Sequence, residues 1–198
     1  LETTGMSVVD ICNSALNHIG GNNITSLTED SKPARLLNQR YEPVRDAVFR
    51  AHPWNCLVAR TDLAADSTAP AFDFSNQYTL PSDCLRVLQA QYLDTVFKVE
   101  GRKILTDETT FNLIYIKRET DTAQYDSLLV DALAARLASE IAYPLIASSV
   151  VANSMLAVFD QKVREARFVD ATEGMPGSID QVSDTGSIEA NTFIAARY

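Results

Sequence analysis

Three cysteines and two histidines are the side chains of this chain best suited to nucleophilic or metal chemistry, so their spacing is the first thing to read. His52 and Cys56 stand about one turn apart across Pro53, and a Cys/His pair could assemble there. A packed joint around a proline accounts for the same residues without chemistry. Cys12, Cys56 and Cys84 form no Cys-x-x-Cys pair, and close spacing with His18 and His52 spells no metal site. The cysteines read as small buried hydrophobes in a reducing compartment. A glycosidase needs only two well-placed carboxylates, and 26 acids guarantee candidate pairs by chance, so their presence says little. The Gly-x-Ser-x-Gly elbow, the phosphate-cradling Gly-x-x-x-x-Gly-Lys-Ser/Thr loop, the Gly-x-Gly-x-x-Gly fingerprint and the His-Glu-x-x-His helix do not occur. The expectation is a protein that is not an enzyme, with no cofactor and no metal.

Composition narrows the class further. A net charge of -9 argues against a protein that wraps nucleic acid, whose affinity would come from Lys and Arg on phosphates. An acidic surface can still lie beside DNA that has to slide past it. The mean hydropathy of -0.07 and the lack of a long apolar run give no membrane span. The first residues carry no basic region followed by an apolar core, so synthesis and assembly in the cytoplasm are expected. Residues 1–5 precede Met6 and the first helical pattern, and are set aside from the fold.

The elements that must position these residues are organised around 76–87. Tyr78, Leu80, Leu85 and Val87 suit a half-buried pleated surface, and Pro81 must interrupt it because it has no N–H for a ladder. Ser82 and Asp83 turn the chain into a second strand. Strands are predicted at 76–80, 84–90, 95–100, 103–106 and 111–117, antiparallel because short loops join them, with Glu100 and Gly101 at a hairpin turn. The last strand is apolar on both faces and therefore central or covered.

Helical patterns flank the sheet. The first runs over 7–19, with Ser7 as N-cap, Asp10 near the positive dipole end, and Gly20 and Gly21 as the stop. The second runs over 34–51 with Leu36, Leu37, Tyr41, Val44, Ala47 and Val48 inward and a kink expected at Pro43. Arg35, Arg40, Arg45 and Arg50 fall at five-residue steps that rotate around the helix, so they are solvated or paired rather than a phosphate ladder. Trp54 reads as the core anchor between helices and sheet. A third helix opens at Gln124 or Asp126 and is broken or kinked at Pro144, and a fourth covers 148–169.

Beyond Val169 the pattern lapses. Asp170, Glu173, Asp180, Asp184 and Glu189 against Arg197 give -4 of the chain's -9. Spaced apolar residues stand among them, and Ile188, Phe193, Ile194 and Tyr198 are the anchors expected for an arm that orders on a partner. The expected fold is α+β: a discontinuous helical bundle (6–60 and 122–169), an inserted antiparallel β-sheet subdomain (61–121) and an extended C-terminal arm (170–198).

Several short motifs occur in order along this frame: residues 10–20 (Asp-Ile-Cys-Asn-Ser-Ala-Leu-Asn-His-Ile-Gly), the helical stretch from Tyr41 to Ala51 with Arg45-Asp46, Pro53-Trp54, Leu63-Ala64, and residues 78–87 (Tyr-Thr-Leu-Pro-Ser-Asp-Cys-Leu-Arg-Val). Together they resemble the tail tubular protein A family, the head-to-tail adaptors of short-tailed bacteriophages, over roughly 7–167. The resemblance implies a virion tail protein forming a homo-oligomeric ring of twelve copies, docked on the portal protein above and receiving the tail nozzle protein below. DNA would pass through its lumen without sequence-specific binding. In that family the helical part builds the ring and the C-terminal extension engages the portal, which would make Ile188, Phe193, Ile194 and Tyr198 portal-binding residues. The alternative from another class is a virion-associated cell-wall glycan hydrolase, for which no residue pattern stands out.

Overall fold

The structure, a computed structural model, describes residues 6–92 and 94–173. Four helices are interrupted in sequence by an inserted pair of small antiparallel sheets of three strands each, so the described residues are α+β. The helices are α1 (Val8–His18), α2 (Lys32–Ala51), α3 (Ser127–Ile146) and α4 (Ser149–Glu173). The strands are β1 (Val58–Leu63), β2 (Asn76–Thr79), β3 (Cys84–Ala90), β4 (Phe97–Glu100), β5 (Lys103–Thr106) and β6 (Phe111–Lys117).

Helix α1 starts and stops as its sequence dictates. Ser7 and Asp10 form a capping box, the Ser7 N–H donating to Asp10 Oδ2 at 2.9 Å and the Asp10 N–H to Ser7 Oγ at 3.2 Å. At the other end Gly20 adopts φ +72°, its N–H donates to the Asn17 carbonyl, and the Gly21 N–H reaches back to the Leu16 carbonyl at 2.9 Å. This pair of bonds closes a Schellman stop, which needs a residue free of the Cβ penalty in the left-handed region. Helix α3 is the centre of the bundle, packed by α1, α2 and α4. Its alanines at 132, 134, 135, 138 and 142 are all buried, and small side chains let three neighbours approach one helix.

The two sheets stack on the bundle as further layers. One has the order β1-β6-β3 and the other β2-β5-β4. The first is the middle layer. Leu85 and Ile116 face the helices with Val58 and Leu88, whereas Phe111, Leu113 and Tyr115 join Tyr78, Ile104 and Phe97 against the second sheet. Strand β6 is thus central and covered on both faces, as its doubly apolar sequence predicts. The hairpin between β4 and β5 turns at Gly101 (φ +58°) and Arg102, with Glu100 opposite Lys103.

Several expectations need correction. Residues 58–60 belong to strand β1 and not to the helical part; the polar residues Arg60, Thr61 and Asp62 of this edge strand hide its period, and only pairing with β6 defines it. The single sheet is two sheets: β2 does not pair with β3 across Pro81, but with β5, and β3 pairs with β6. The turn at 81–83 is a crossing between layers, held by Arg102, whose guanidinium donates to the Pro81 and Cys84 carbonyls. Strand β2 stops at Thr79 and β4 starts at Phe97. On α2 Ala47 is exposed and Phe49 takes its place inside. Pro144 does not break α3 but lies in its last turn, and the helix ends at Ile146 with Ala147 left-handed at φ +53°. Helix α4 runs past Val169 to Glu173, so Asp170 belongs to the helix and not to the arm.

Candidate functional site

The four predicted portal-binding residues, Ile188, Phe193, Ile194 and Tyr198, lie outside the described residues. What the structure does place are the residues that carry chemistry or motif, and nearly all of them hold the joint between helices and sheets. Trp54 is fully buried and its Nε1–H donates to the Val48 carbonyl at 3.0 Å, which ties the end of α2 to the chain entering β1. His52 packs edge-on against Trp54 with ring centroids 5.0 Å apart. Its Nε2 meets Asp170 Oδ2 at 2.5 Å, so the last turns of α4 are fastened to the same joint. The His52 Nδ1 is buried with no hydrogen-bond partner among the described residues.

No Cys/His couple forms from His52 and Cys56. Burial pushes the Cys56 thiol upward, and it takes a hydrogen bond from the Asp126 backbone. A nucleophilic cysteine needs the opposite, a thiolate favoured by nearby positive charge. Cys12, buried in the helical core, is pushed by desolvation up to about 12, and Cys84 is also raised by burial. Among the described residues no group of three or more His, Cys, Asp and Glu could hold a metal ion.

The most strongly organised charges lie where α2 meets the strand leaving β6. Asp46 Oδ1 accepts from Arg45 Nε and Nη2 at 3.0 and 2.9 Å, and its Oδ2 accepts from Arg118 Nε at 2.8 Å. Two guanidiniums therefore share one carboxylate. Arg45 is buried, with its guanidinium carbon 5.9 Å from the Tyr41 ring centroid. The other arginines of α2 are spent singly: Arg35 on Asp30, Arg40 on Glu140 at 2.6 Å, and Arg50 on the Leu85 carbonyl. Each of these arginines thus has a partner of its own.

The remaining motif residues are scaffold as well. Asn13 donates to the Ile24 carbonyl at 2.9 Å and accepts from the Ile24 N–H at 2.8 Å, clamping the loop after α1 with one amide. The Tyr78 hydroxyl donates to the Glu108 carbonyl at 2.8 Å, and Asp83 takes the Arg118 N–H on its carbonyl at 2.7 Å. Sequence reading placed Asn13 and Asp83 in motifs but not in roles, because each role depends on a partner 11 or 35 positions away.

Two clefts are worth naming. One of about 340 Å³ lies between the loop at 70–74 and the outer face of the second sheet, lined by Phe72, Asp73, Lys98, Glu100 and Lys103. Another of about 500 Å³ is lined by Asn38, Tyr41, Glu42, Arg45 and Thr120. More informative is the outer surface of the corner between α3 and α4. Tyr143, Ile146 and Val150 are exposed there, and no charged side chain occurs anywhere from 141 to 159. No protein-family model matches the chain, and no curated protein matches it.

Proposed function

We propose that this chain is a structural head-to-tail adaptor of a short-tailed bacteriophage, a non-enzymatic ring-forming protein between portal and tail nozzle with DNA passing through its lumen. The observation that carries this reading is the bare corner of α3 and α4. In a chain with 26 acids, a run free of charge with three large apolar side chains in water is a surface for another protein. Neighbouring copies are its natural occupant, because like-charged molecules of net -9 associate best through an apolar face that adds no acid, and the charge beside this one is the Lys32 ammonium on the Pro144 carbonyl. The motif resemblance supplies the identity of the assembly, and the way the motif residues lock the joint of helices and sheets supports a rigid building block rather than a catalyst. The ring is of twelve copies, the portal is engaged by the C-terminal residues, and the nozzle is engaged from the opposite side.

The experiment is electron microscopy and mass measurement of the purified protein, alone and mixed with portal protein. Rings, or a ring seated on the portal, are expected. A chain that stays monomeric and does not attach to portal at any concentration is not an adaptor.

A further inference from the structure

Each sheet has two edges, and the backbone bonds show which way each edge strand points its N–H and C=O groups. In the sheet β1-β6-β3 the Asn112 carbonyl accepts from the Gln91 N–H at 3.0 Å and the Arg118 N–H donates to the Asp83 carbonyl at 2.7 Å, so the even-numbered residues of β6 bond towards β3. Arg60 and Asp62 stand opposite Ile114 and Asn112, and their own backbone groups therefore point away from β6, out of the sheet. In the sheet β2-β5-β4 the Gln77 carbonyl accepts from the Asp66 N–H at 2.8 Å on the far side of β2, which leaves Asn76 and Tyr78 to bond with β5. Lys103 and Leu105 then bond to Glu100 and Lys98, and Phe97 and Val99 point their backbone groups outward from β4.

Two of the four edges are closed. Ala65 bridges to Tyr78 and, with the Asp66 bond, covers β2. Along β3 the Cys84 and Leu85 carbonyls are taken by the guanidiniums of Arg102 and Arg50. The edges of β1 and β4 have no such cover. Among the described residues the one hydrogen bond to the outward groups of Arg60, Asp62, Phe97 and Val99 is a long contact of 3.4 Å from the Thr61 hydroxyl to the Asp62 carbonyl. Unpaired rows of this kind are templates for another strand.

The two open edges lie on opposite flanks of the layers. Strand β1 runs on into the stretch that covers β2, so these two share one flank, whereas Arg102, in the turn between β4 and β5, reaches Cys84 at the start of β3 on the other. Each open strand carries one base and one acid, Arg60 with Asp62 and Lys98 with Glu100, in a chain of net -9. Neither edge therefore adds to the repulsion between like-charged copies. An open edge on one flank that matches a different open edge on the other is a head-to-tail arrangement, which closes into a ring where the rotation between copies fits.

We propose that β4 of one copy adds to β1 of the next, so that the sheet β2-β5-β4 of the first continues into the sheet β1-β6-β3 of the second. With the strands antiparallel, Val99 opposite Arg60 and Phe97 opposite Asp62 each exchange two backbone bonds, and Lys98 meets Thr61 as the close pair between them. Arg60 and Asp62 are exposed and Val99 is 43% exposed, so the strip is open to a second chain. This contact is distinct from the corner of α3 and α4. It shares with the adaptor reading only that copies associate, and it needs neither portal nor nozzle.

The test uses the full chain. Thr61→Cys and Lys98→Cys are made as separate variants, mixed and oxidised. A disulfide between two different copies is expected in the mixture and not in either variant alone, because the close pair of an antiparallel ladder brings two Cβ atoms within disulfide reach. The native cysteines are buried or half-buried, and the wild-type chain serves as the blank. Val99→Pro and Asp62→Pro each remove an outward N–H, and proline is tolerated on an edge in that orientation, so the thermal midpoint is expected to hold. Association, read by mass measurement over a range of concentrations, is expected to weaken about tenfold in each, since a carbonyl of the partner strand is left unpaired. If a proline variant loses its fold, the cross-link decides. No mixed disulfide while copies associate overturns the inference, and so does association unchanged in both proline variants. A wild-type chain that stays monomeric sinks it together with the adaptor reading; one that cross-links as expected but does not attach to portal upholds the contact and sinks the adaptor reading alone.

Discussion

Trp54 concentrates the stability of the joint in one side chain. It fills space between the end of α2 and the start of β1, meets the His52 ring edge-on and satisfies its own N–H on the Val48 carbonyl. Trp54→Ala is expected to cost about 3–5 kcal/mol, the usual loss for a large buried aromatic; urea denaturation should show it, and a loss under about 1 kcal/mol would mean that the ring is not a core anchor. A different residue gives a pH signature. Glu29 lies exposed on the loop before α2, where its carboxylate accepts from the Thr25 N–H at 2.8 Å and from the Thr25 hydroxyl at 2.9 Å. The Thr25 backbone first, then the Ser31 and Thr25 side chains, hold its carboxyl down at about 2. A folded value below the ordinary glutamate value means that ionised Glu29 is favoured by the fold. Its contribution is complete above the ordinary value and disappears as pH falls through about 2. Glu29→Gln should therefore lower the denaturation midpoint at neutral pH and leave the wild-type and variant curves converging as acid approaches that range. Equal midpoints at pH 7 would show that the loop bonds contribute nothing.

At the level of elements, the helices were the most legible part because each carries its own signals within reach of a few residues. Ser7 with Asp10, Gly20 with Gly21, and Asp126, whose carboxylate accepts from the Leu128 N–H at 2.8 Å, are local devices and can be read locally. Strand β6 was equally readable because burial on both sides leaves an apolar run. What the sequence hid was pairing. Strand β1 is an edge whose Arg60, Thr61 and Asp62 look like loop, and the crossing at Pro81 looks like a hairpin turn unless the distant anchors Arg102 and Arg118 are known. The end of α4 was hidden for the same reason, since Asp170 is an acid in an acidic stretch until His52, at the far end of α2, is seen beside it. The Arg45, Asp46 and Arg118 network shows what such long-range pairing is worth. Removing the shared carboxylate leaves Arg45 charged, buried and without its partner, so Asp46→Asn is expected to destabilise by about 3 kcal/mol. Replacing Arg45 by Met, which removes the buried charge instead of stranding it, should cost much less. Thermal melts of the two variants decide it: equal losses would show that the carboxylate and the guanidinium matter only as volume.

On the adaptor reading, attachment falls to the apolar corner of α3 and α4, where Tyr143, Ile146 and Val150 are exposed, and to the residues that follow Glu173. The exposed side chains of that corner belong to neither buried cluster. Helix α4, which the C-terminal residues follow, is fastened by Asp170 to His52. Stability and attachment should thus be separable. The expectation from sequence is that spaced apolar residues in an acidic segment bury too little on themselves to offset roughly 1–2 kcal/mol of backbone entropy per ordered residue, and the proposed adaptor role gives them a partner's surface. Deleting residues 177–198 keeps all of α4 and its fastening. It is expected to leave the thermal midpoint of the isolated protein within a degree or two of the full chain, on the order of a few tenths of a kcal/mol for a chain of this size, while abolishing attachment to the portal. Ile188→Ser with Phe193→Ser and Ile194→Ser should reproduce the loss of attachment in the full-length chain. A truncated protein that unfolds, or one that docks on the portal with undiminished affinity, would show that these residues are core or ornament and that the portal is held elsewhere.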